Sequence, residues 1–142
     1  MAKKTSKSSK SKSAWGWVKT DRPGKPTDAE KAKATALFEP YVQHLNETLP
    51  PLQEPQQFNQ AVRVEAKWRG SFFYLMSHYK CPPKPEYIME GFESGIARLT
   101  YKSPGVYDLS YFRHTGQWAT IFYGLSLEDC LERIQSDPTF DV

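Results

Sequence analysis

Cysteine and histidine, on which disulfide frameworks and most zinc sites depend, are scarce in this sequence. It has two cysteines and three histidines in 142 residues. A small secreted domain held by disulfides normally has more cysteines, so Cys81 and Cys130 are predicted to be free thiols. His78 and Cys81 form at best half of a zinc site, because the remaining ligands would have to come from distant segments. The sequence therefore predicts no metal site and no cofactor.

Recognisable catalytic motifs are also lacking. The chain has no phosphate-binding glycine loop, nucleophile elbow or dinucleotide fingerprint. Cys81 beside His78 is a conceivable activated thiol, and Glu90 with Glu93 is a conceivable acid–base pair. Both pairs lie in segments that are typical of solvated loops, so the sequence favours a non-enzymatic protein.

Long apolar runs are missing too. No run approaches the roughly 20 residues that a helix needs to span a bilayer, and the basic start lacks the apolar segment of a secretory signal. The expected location is therefore cytoplasmic. A length of 142 residues with 39% hydrophobic content favours a single domain around one core.

Positive charge is concentrated at the start of the chain. Residues 1–25 contain eight Lys or Arg and one Asp, a net charge of +7, whereas the other 117 residues contain eleven Lys or Arg and fifteen Asp or Glu, a net charge of −4. Residues 2–13 are almost entirely Lys, Ser and Thr, a composition that predicts disorder. We therefore expect a disordered basic tail over residues 1–26 and one folded domain over residues 27–142.

Two tryptophans, Trp15 and Trp17, interrupt this tail. They are interpreted either as a linear motif, whose indoles stack on bases or insert at a lipid interface, or as a segment that folds back onto the domain. The sequence leaves both interpretations open. The predicted sites for nucleic acid or another polyanion are Lys3, Lys4, Lys7, Lys10, Lys12, Trp15, Trp17 and Lys19.

Alternating residues between Ile96 and Tyr123 predict three antiparallel strands. The loop His114-Thr115-Gly116 fits a three-residue hairpin with Gly in a left-handed conformation, and a turn at residues 102–105 places Tyr101 opposite Tyr107. The hairpin predicts the cross-strand pairs Arg113–Gln117, Phe112–Trp118, Tyr111–Ala119, Ser110–Thr120, Leu109–Ile121 and Tyr107–Tyr123.

Further elements flank this meander. Thr27 and Glu30 form a capping box that begins a helix, which Pro40 is predicted to kink or break, and Ser126 begins a second helix. The alternating segment 62–68 predicts a strand that pairs with residues 71–79 through the loop Arg69-Gly70. That loop would place Ala66 opposite Phe73 and Val64 opposite Leu75. The predicted fold class is α+β, an antiparallel meander of about five strands with an N-terminal helix and a short C-terminal helix.

One face of the predicted sheet is half polar and half aromatic. We expect it to carry Arg98, Thr100, Asp108, Ser110, Phe112, Trp118, Thr120 and Phe122. The candidate partner-binding residues on it are Arg98, Asp108, Phe112 and Trp118. The alternative interpretation is a solvated sheet face on which Arg98 and Asp108 form a cross-strand ion pair of small value.

The order of several segments resembles a known family. These segments are Gly95 to Tyr101, Trp118, and Gly124 to Pro138, with an Ala-Arg strand, a further strand, a Trp-bearing strand and a short helix that ends on Asp-Pro. They are similar to the bacterial family called domain of unknown function 3024. The resemblance covers roughly Thr27 to Phe140 and implies no activity and no catalytic residue.

Binding is therefore the expected class of function. A tail of net charge +7 is attracted to nucleic acid or another polyanion by counterion release. The net negative charge of the domain, in contrast, argues against a nucleic-acid-binding surface on the domain itself. The alternative is a protein-interaction module that uses the aromatic sheet face, with the tail as a tether. A steep salt dependence of binding would favour the first function and a shallow one the second.

Overall fold

The computed structural model describes residues 22–83 and 89–142 of the chain. The predicted polyanion-binding residues, Lys3, Lys4, Lys7, Lys10, Lys12, Trp15, Trp17 and Lys19, lie outside these described residues, as does the predicted disorder of the tail. The elements in chain order are α1 (Asp28–Thr48), β1 (Gln60–Arg69), β2 (Phe72–Lys80), β3 (Gly91–Ser103), β4 (Val106–Phe112), β5 (Trp118–Leu125), α2 (Leu127–Ser136) and a 3-10 turn (Pro138–Phe140).

The five strands form one antiparallel sheet in which each strand pairs with the next along the chain. The predicted α+β meander with a helix on either side of it in sequence is thus confirmed. The helices of the described residues include none long and apolar enough to cross a membrane.

Helix α1 begins as its capping box predicts. Thr27 Oγ1 accepts a hydrogen bond from the Glu30 amide at 3.1 Å, and Glu30 Oε1 accepts one from the Thr27 amide at 2.8 Å. Of the predicted kink or break at Pro40, the break is wrong, because α1 continues through it to Thr48. Pro40 lies on the exposed side of the helix, where water can solvate the carbonyl group that loses its amide partner.

Both helices pack on one face of the sheet, which we call the inner face. The ring of Phe38 on α1 lies edge-on to the ring of Phe73, at 5.3 Å between centroids, and the Trp68 indole donates a hydrogen bond to the Lys31 carbonyl at 3.1 Å. The buried hydrophobic residues of this core are Ala34, Phe38, Val64, Phe73, Leu75, Ile96, Ala97, Leu99, Tyr101, Tyr107, Leu109, Leu127, Cys130, Ile134 and Phe140.

The β4–β5 hairpin follows the predicted register near its loop and departs from it farther away. Gly116 has φ +85°, and the predicted pairs from Phe112–Trp118 to Ser110–Thr120 are confirmed. Beyond Thr120 an irregularity shifts the pairing, so Leu109 lies opposite Phe122 and Tyr107 opposite Leu125. The predicted pairs Leu109–Ile121 and Tyr107–Tyr123 are therefore wrong.

The β1–β2 hairpin turns one residue later than predicted. Gly70 and Ser71 form its loop, with Gly70 at φ +60°, because only glycine takes that conformation without steric cost. Ala66 consequently lies opposite Leu75 instead of Phe73, and Val64 opposite Ser77 instead of Leu75. The register shift is two residues, so each side chain remains on its predicted face.

Candidate functional site on the outer face of the sheet

The face of the sheet opposite the helices, which we call the outer face, is not covered by any helix of the described residues. Side chains of all five strands contribute to it through the two-residue alternation of extended chains. Its members are Arg63, Glu65, Lys67, Phe72, Tyr74, Met76, His78, Glu93, Gly95, Arg98, Thr100, Asp108, Ser110, Phe112, Trp118 and Thr120.

Four aromatic rings and one arginine form a continuous cluster at the centre of this face. We call Phe72, Tyr74, Arg98, Phe112 and Trp118 the aromatic cluster. Ring centroids are 6.1 Å apart for Phe72–Tyr74, 5.7 Å for Tyr74–Trp118 and 5.0 Å for Phe112–Trp118. All five side chains are partly exposed, so the cluster presents aromatic surface to solvent.

Arg98 lies inside the cluster, close to two of its rings. Its Cζ atom is 4.7 Å from the centroid of Phe72 and 5.4 Å from that of Trp118, distances at which a guanidinium is attracted to the face of an aromatic ring. Its Nε–H group is buried and has no hydrogen-bond partner among the described residues. The side chain as a whole is partly exposed, and guanidinium donors match phosphate and carboxylate oxygens.

A glycine on β3 makes room for the Trp118 indole. A Cβ atom added to Gly95 would lie 2.5 Å from Trp118 Cη2 and 2.9 Å from Phe112 Cβ. The six-membered ring of Trp118 therefore lies directly over the Gly95 backbone, so a side chain of β5 contacts β3 across the intervening strand β4. This close approach fixes the position of the largest ring in the cluster.

Asp108, the fourth predicted residue of the face, is held by other partners. It lies opposite Thr100, whereas Arg98 lies opposite Ser110. One Asp108 oxygen accepts a hydrogen bond from the Gly124 amide at 3.0 Å, and the other is 3.9 Å from Lys102 Nζ. The structure thus brings Arg98, Phe112 and Trp118 together, while Asp108 bonds towards β5. The alternative interpretation, in which Arg98 and Asp108 form an ion pair, is wrong.

Phe122 does not belong to the outer face, contrary to prediction. The register shift after Thr120 rotates it to the inner face, where it packs against the core and its ring lies 4.7 Å from Arg133 Cζ. Sequence reasoning also missed Phe72 and Tyr74. Their alternation with Phe73 and Leu75 was the available signal, since inner residues at odd positions place the even ones outside.

A second group of side chains on the outer face joins two carboxylates, an imidazole and an ammonium group. Glu65 Oε2 is 2.5 Å from His78 Nε2, and Glu93 Oε2 is 3.6 Å from His78 Nδ1. Lys67 Nζ is 4.0 Å from Glu65 Oε2 and 3.6 Å from Glu93 Oε1. The hydrogen bond with His78, followed by the charges around it, holds the pKa of the Glu65 carboxyl below its usual value.

Formal charge is divided between the two layers of the fold. The five strands contain six Lys or Arg and three Asp or Glu, a net charge of +3, whereas α1 and α2 together contain three Lys or Arg and seven Asp or Glu, a net charge of −4. The acidity of the domain therefore resides mainly in its helices. The net negative charge of the domain as a whole therefore does not describe the outer face.

The two cysteines and the other two histidines belong neither to the aromatic cluster nor to the group around His78. Cys81 and Cys130 are free and buried, and burial raises the pKa of the Cys130 thiol to about 12, which removes its nucleophilic thiolate form near neutral pH. His44 and His114 are exposed on α1 and on the β4–β5 loop. The structure therefore does not assemble the His–Cys zinc site that the sequence suggested in part.

Comparison with known proteins identifies a family. The family described as "Domain of unknown function (DUF3024)" matches residues 30–140. No curated protein and no solved structure matches the chain. The matched segment runs from the first turn of α1 to the 3-10 turn and includes all five strands, α2 and all of α1 except its first two residues. The chain therefore belongs to the DUF3024 family.

Proposed function

We propose that this protein binds single-stranded nucleic acid, with bases stacked on the aromatic cluster and phosphates bound by Arg98 and the basic tail. The observation that carries the proposal is the placement of Arg98 against the rings of Phe72 and Trp118, on a sheet face that no helix of the described residues covers. Aromatic rings and guanidinium planes on open sheets are a common platform for unpaired bases.

Aromatic stacking supplies the contact area in this proposal. Stacking of a base on a protein ring contributes about 1–3 kcal/mol by alanine substitution and tolerates any base. Tyr74 and Trp118 are partly exposed and adjacent in the cluster, so two neighbouring bases can be accommodated side by side. Single strands are favoured over duplexes, because only unpaired bases expose their faces.

Electrostatic attraction to phosphates comes mainly from the basic tail in this proposal. The outer face itself carries three Lys or Arg and three Asp or Glu, so its formal charges cancel and it does not repel a polyanion. Residues 1–25 add a net charge of +7, which binds phosphates without sequence preference and with steep salt dependence. The tail then supplies general affinity and the aromatic cluster the preference for single strands.

A protein partner is the second candidate function, and it is favoured by the edge strand β5. Ile121 and Tyr123 are exposed there, with 38% and 62% of their surface accessible, and an edge strand offers free backbone groups to an added strand. The irregular pairing of β5 with β4 opposes strand addition, since bulges twist an edge away from flat pairing. We therefore place this function second.

The test is binding of fluorescein-labelled twelve-nucleotide oligo(U) and oligo(dT) to the full chain by fluorescence anisotropy. Arg98→Ala is expected to weaken binding by about tenfold or more, equivalent to the loss of roughly 1.4 kcal/mol. The matched control is Arg63→Ala, which removes the same charge from the same face outside the aromatic cluster. Arg63→Ala is expected to weaken binding by less than about threefold.

Equal effects of the two arginine variants would contradict the proposal, because they would show that charge alone drives binding. Thermal unfolding of each variant verifies that the fold is intact. Comparison of oligo(U) with oligo(dT) distinguishes RNA from DNA as the source of the ligand. If heparin competes with the labelled strand as strongly as unlabelled oligonucleotide does, the function would instead be polyanion binding by the tail. A failure to bind either oligonucleotide would favour the protein partner.

A further inference from the structure

Three potential metal ligands converge on the outer face beside the aromatic cluster. Glu65, His78 and Glu93 can each supply one ligand atom, and these atoms lie within 4.8 Å of one another. Nitrogen and oxygen atoms bound to one zinc ion in tetrahedral geometry are about 3.4 Å apart, so small side-chain rotations bring the three atoms to a common ion.

Each ligand is on a different strand, which gives the group a rigid frame. Glu65 is on β1, His78 on β2 and Glu93 on β3, and His78 lies directly opposite Glu93 in the sheet. Ligands fixed by strand pairing keep their spacing better than ligands on loops. The exposed fractions of the three side chains are 31%, 19% and 44%, so the group is reachable from solvent.

A positive charge already occupies the space between the carboxylates. Lys67 Nζ lies 4.0 Å from Glu65 Oε2 and 3.6 Å from Glu93 Oε1, which shows that the position favours a cation. These contacts are long and the Lys67 side chain is 37% exposed. Exposed ion pairs of this kind contribute about 1 kcal/mol or less, so a divalent ion can displace the ammonium group.

We infer that Glu65, His78 and Glu93 form a binding site for a divalent transition-metal ion, with Zn²⁺ as the best match. One imidazole nitrogen and two carboxylate oxygens suit zinc, which accepts three protein ligands and leaves its fourth position to water. Mg²⁺ prefers oxygen ligands alone and disfavours the imidazole. On binding, the ion replaces the hydrogen bond between Glu65 Oε2 and His78 Nε2, which are 2.5 Å apart, and the proton of that bond leaves to solvent or moves to His78 Nδ1.

This inference does not depend on nucleic-acid binding. The three ligands and Lys67 do not belong to the aromatic cluster, although Lys67 lies opposite Tyr74 in the sheet. An ion here would increase the positive charge of the outer face. Oligonucleotide binding can therefore fail while the metal site holds, and the reverse is also possible.

The test is titration of the full chain, carrying no polyhistidine tag, with Zn²⁺ in competition with a chromophoric chelator. One ion per chain is expected to bind, and His78→Ala is expected to weaken binding by about tenfold or more. Glu93→Gln removes a ligand at the most exposed position, and it provides an independent variant should His78→Ala fail to fold. Co²⁺ in place of Zn²⁺ should give visible absorption bands that both variants lose.

Lys67→Ala provides a test in the opposite direction. Removal of the competing ammonium group is expected to tighten Zn²⁺ binding several-fold. A group of side chains that only stabilises the fold through its ion pairs would not show this effect. His114→Ala, which removes an exposed histidine from the β4–β5 loop, is the matched control and should leave affinity unchanged. Circular dichroism verifies that each variant is folded.

Four results would count against the inference. Zn²⁺ affinity that is the same in the wild type, His78→Ala and Glu93→Gln proteins would exclude this group as the site, as would a wild-type chain that binds no Zn²⁺. A loss of binding in Cys81→Ser, with Glu93→Gln unaffected, would move the ion to the pair His78–Cys81. Unchanged affinity in Lys67→Ala would contradict the placement of the ion between the carboxylates.

Discussion

The two faces of the sheet are made by the same strands but are stabilised differently. On the inner face Phe73, Leu75 and Leu99 have no accessible surface, because α1 and α2 cover them. On the outer face the neighbouring residues Phe72 and Tyr74 remain partly exposed and contact chiefly other members of the aromatic cluster. The inner face therefore maintains the fold, whereas the outer face displays an ordered surface that the fold does not itself bury.

The side chains of the outer face pack closely against one another. Ser110, which lies between Arg98 and Thr120 in the sheet, has an exposed fraction of 0% and bonds to Thr120 Oγ1 at 2.8 Å. The outer side chains thus pack closely enough to bury a polar group beneath them. Aromatic pairs of this kind contribute about 0.5–1.5 kcal/mol beyond their buried area, so contacts within the cluster help to hold its rings in place.

Truncation of two adjacent phenylalanines should separate the contributions of the two faces to stability. Phe73→Ala should reduce the free energy of unfolding by about 3–5 kcal/mol, since it leaves a cavity in the core. Phe72→Ala should cost less than half as much, because its ring is partly solvated already. Urea denaturation measures both values, and equal losses would show that the two faces contribute equally to stability.

Gly95→Ala tests whether the position of Trp118 depends on the glycine beneath it. The new methyl group would meet Trp118 Cη2 at 2.5 Å and Cζ2 at 2.6 Å, so the indole must shift. The expected cost is about 1–3 kcal/mol of stability, with a changed near-ultraviolet circular dichroism spectrum and weaker oligonucleotide binding. An unchanged spectrum with unchanged binding would show that the indole is not held by this contact.

The smallest expected effect concerns the contact that joins α1 to the inner face. The Thr27 amide and then the Tyr101 hydroxyl donate hydrogen bonds to Glu30, which holds the pKa of the Glu30 carboxyl below 4.5. Because the folded-state pKa is the lower one, this stabilisation is present above about pH 4.5 and is lost as pH falls through the folded-state value. The same bond raises the pKa of the Tyr101 hydroxyl to about 12, so its contribution is lost as pH rises from 10 through that value.

Glu30→Gln should therefore flatten the acid limb of the stability profile. Urea midpoints measured at pH 7 and pH 3 are expected to differ less in the variant than in the wild type. Glu39→Gln, at an exposed site on the same helix, controls for the general effect of removing a carboxylate. A wild-type and a Glu30→Gln protein that lose the same stability in acid would contradict the assignment.

The sequence predicted the parts of the fold that depend on residues close together in the chain. The capping box of Thr27 and Glu30 depends on two residues three apart, and the hairpin at Gly116 depends on one positive φ; both are confirmed. The pair Leu109–Ile121 failed because an irregularity in an edge strand leaves no periodic signal. The break at Pro40 failed because solvent exposure of the affected turn is a property of the folded chain.

The candidate site was predictable in part for the same reason. Arg98, Phe112 and Trp118 share one face by alternation and a confirmed register, so their proximity followed from the sequence. The contribution of Phe72 and Tyr74 required the correct pairing of β2 with β3. Glu65, His78 and Glu93 meet only when three strands are in register, and β3 begins at Gly91, five residues before the start of its predicted strand.

Ultraviolet cross-linking of oligo(U) to the full chain, with the attached peptides identified by mass spectrometry, tests the role of the outer face most directly. Zero-length cross-links form between bases and the aromatic side chains on which they stack. The account predicts cross-links at Phe72, Tyr74 or Trp118 and their loss in Arg98→Ala. Cross-links confined to residues 1–25 would contradict it, because they would leave the tail as the sole nucleic-acid-binding element and the aromatic cluster without that role.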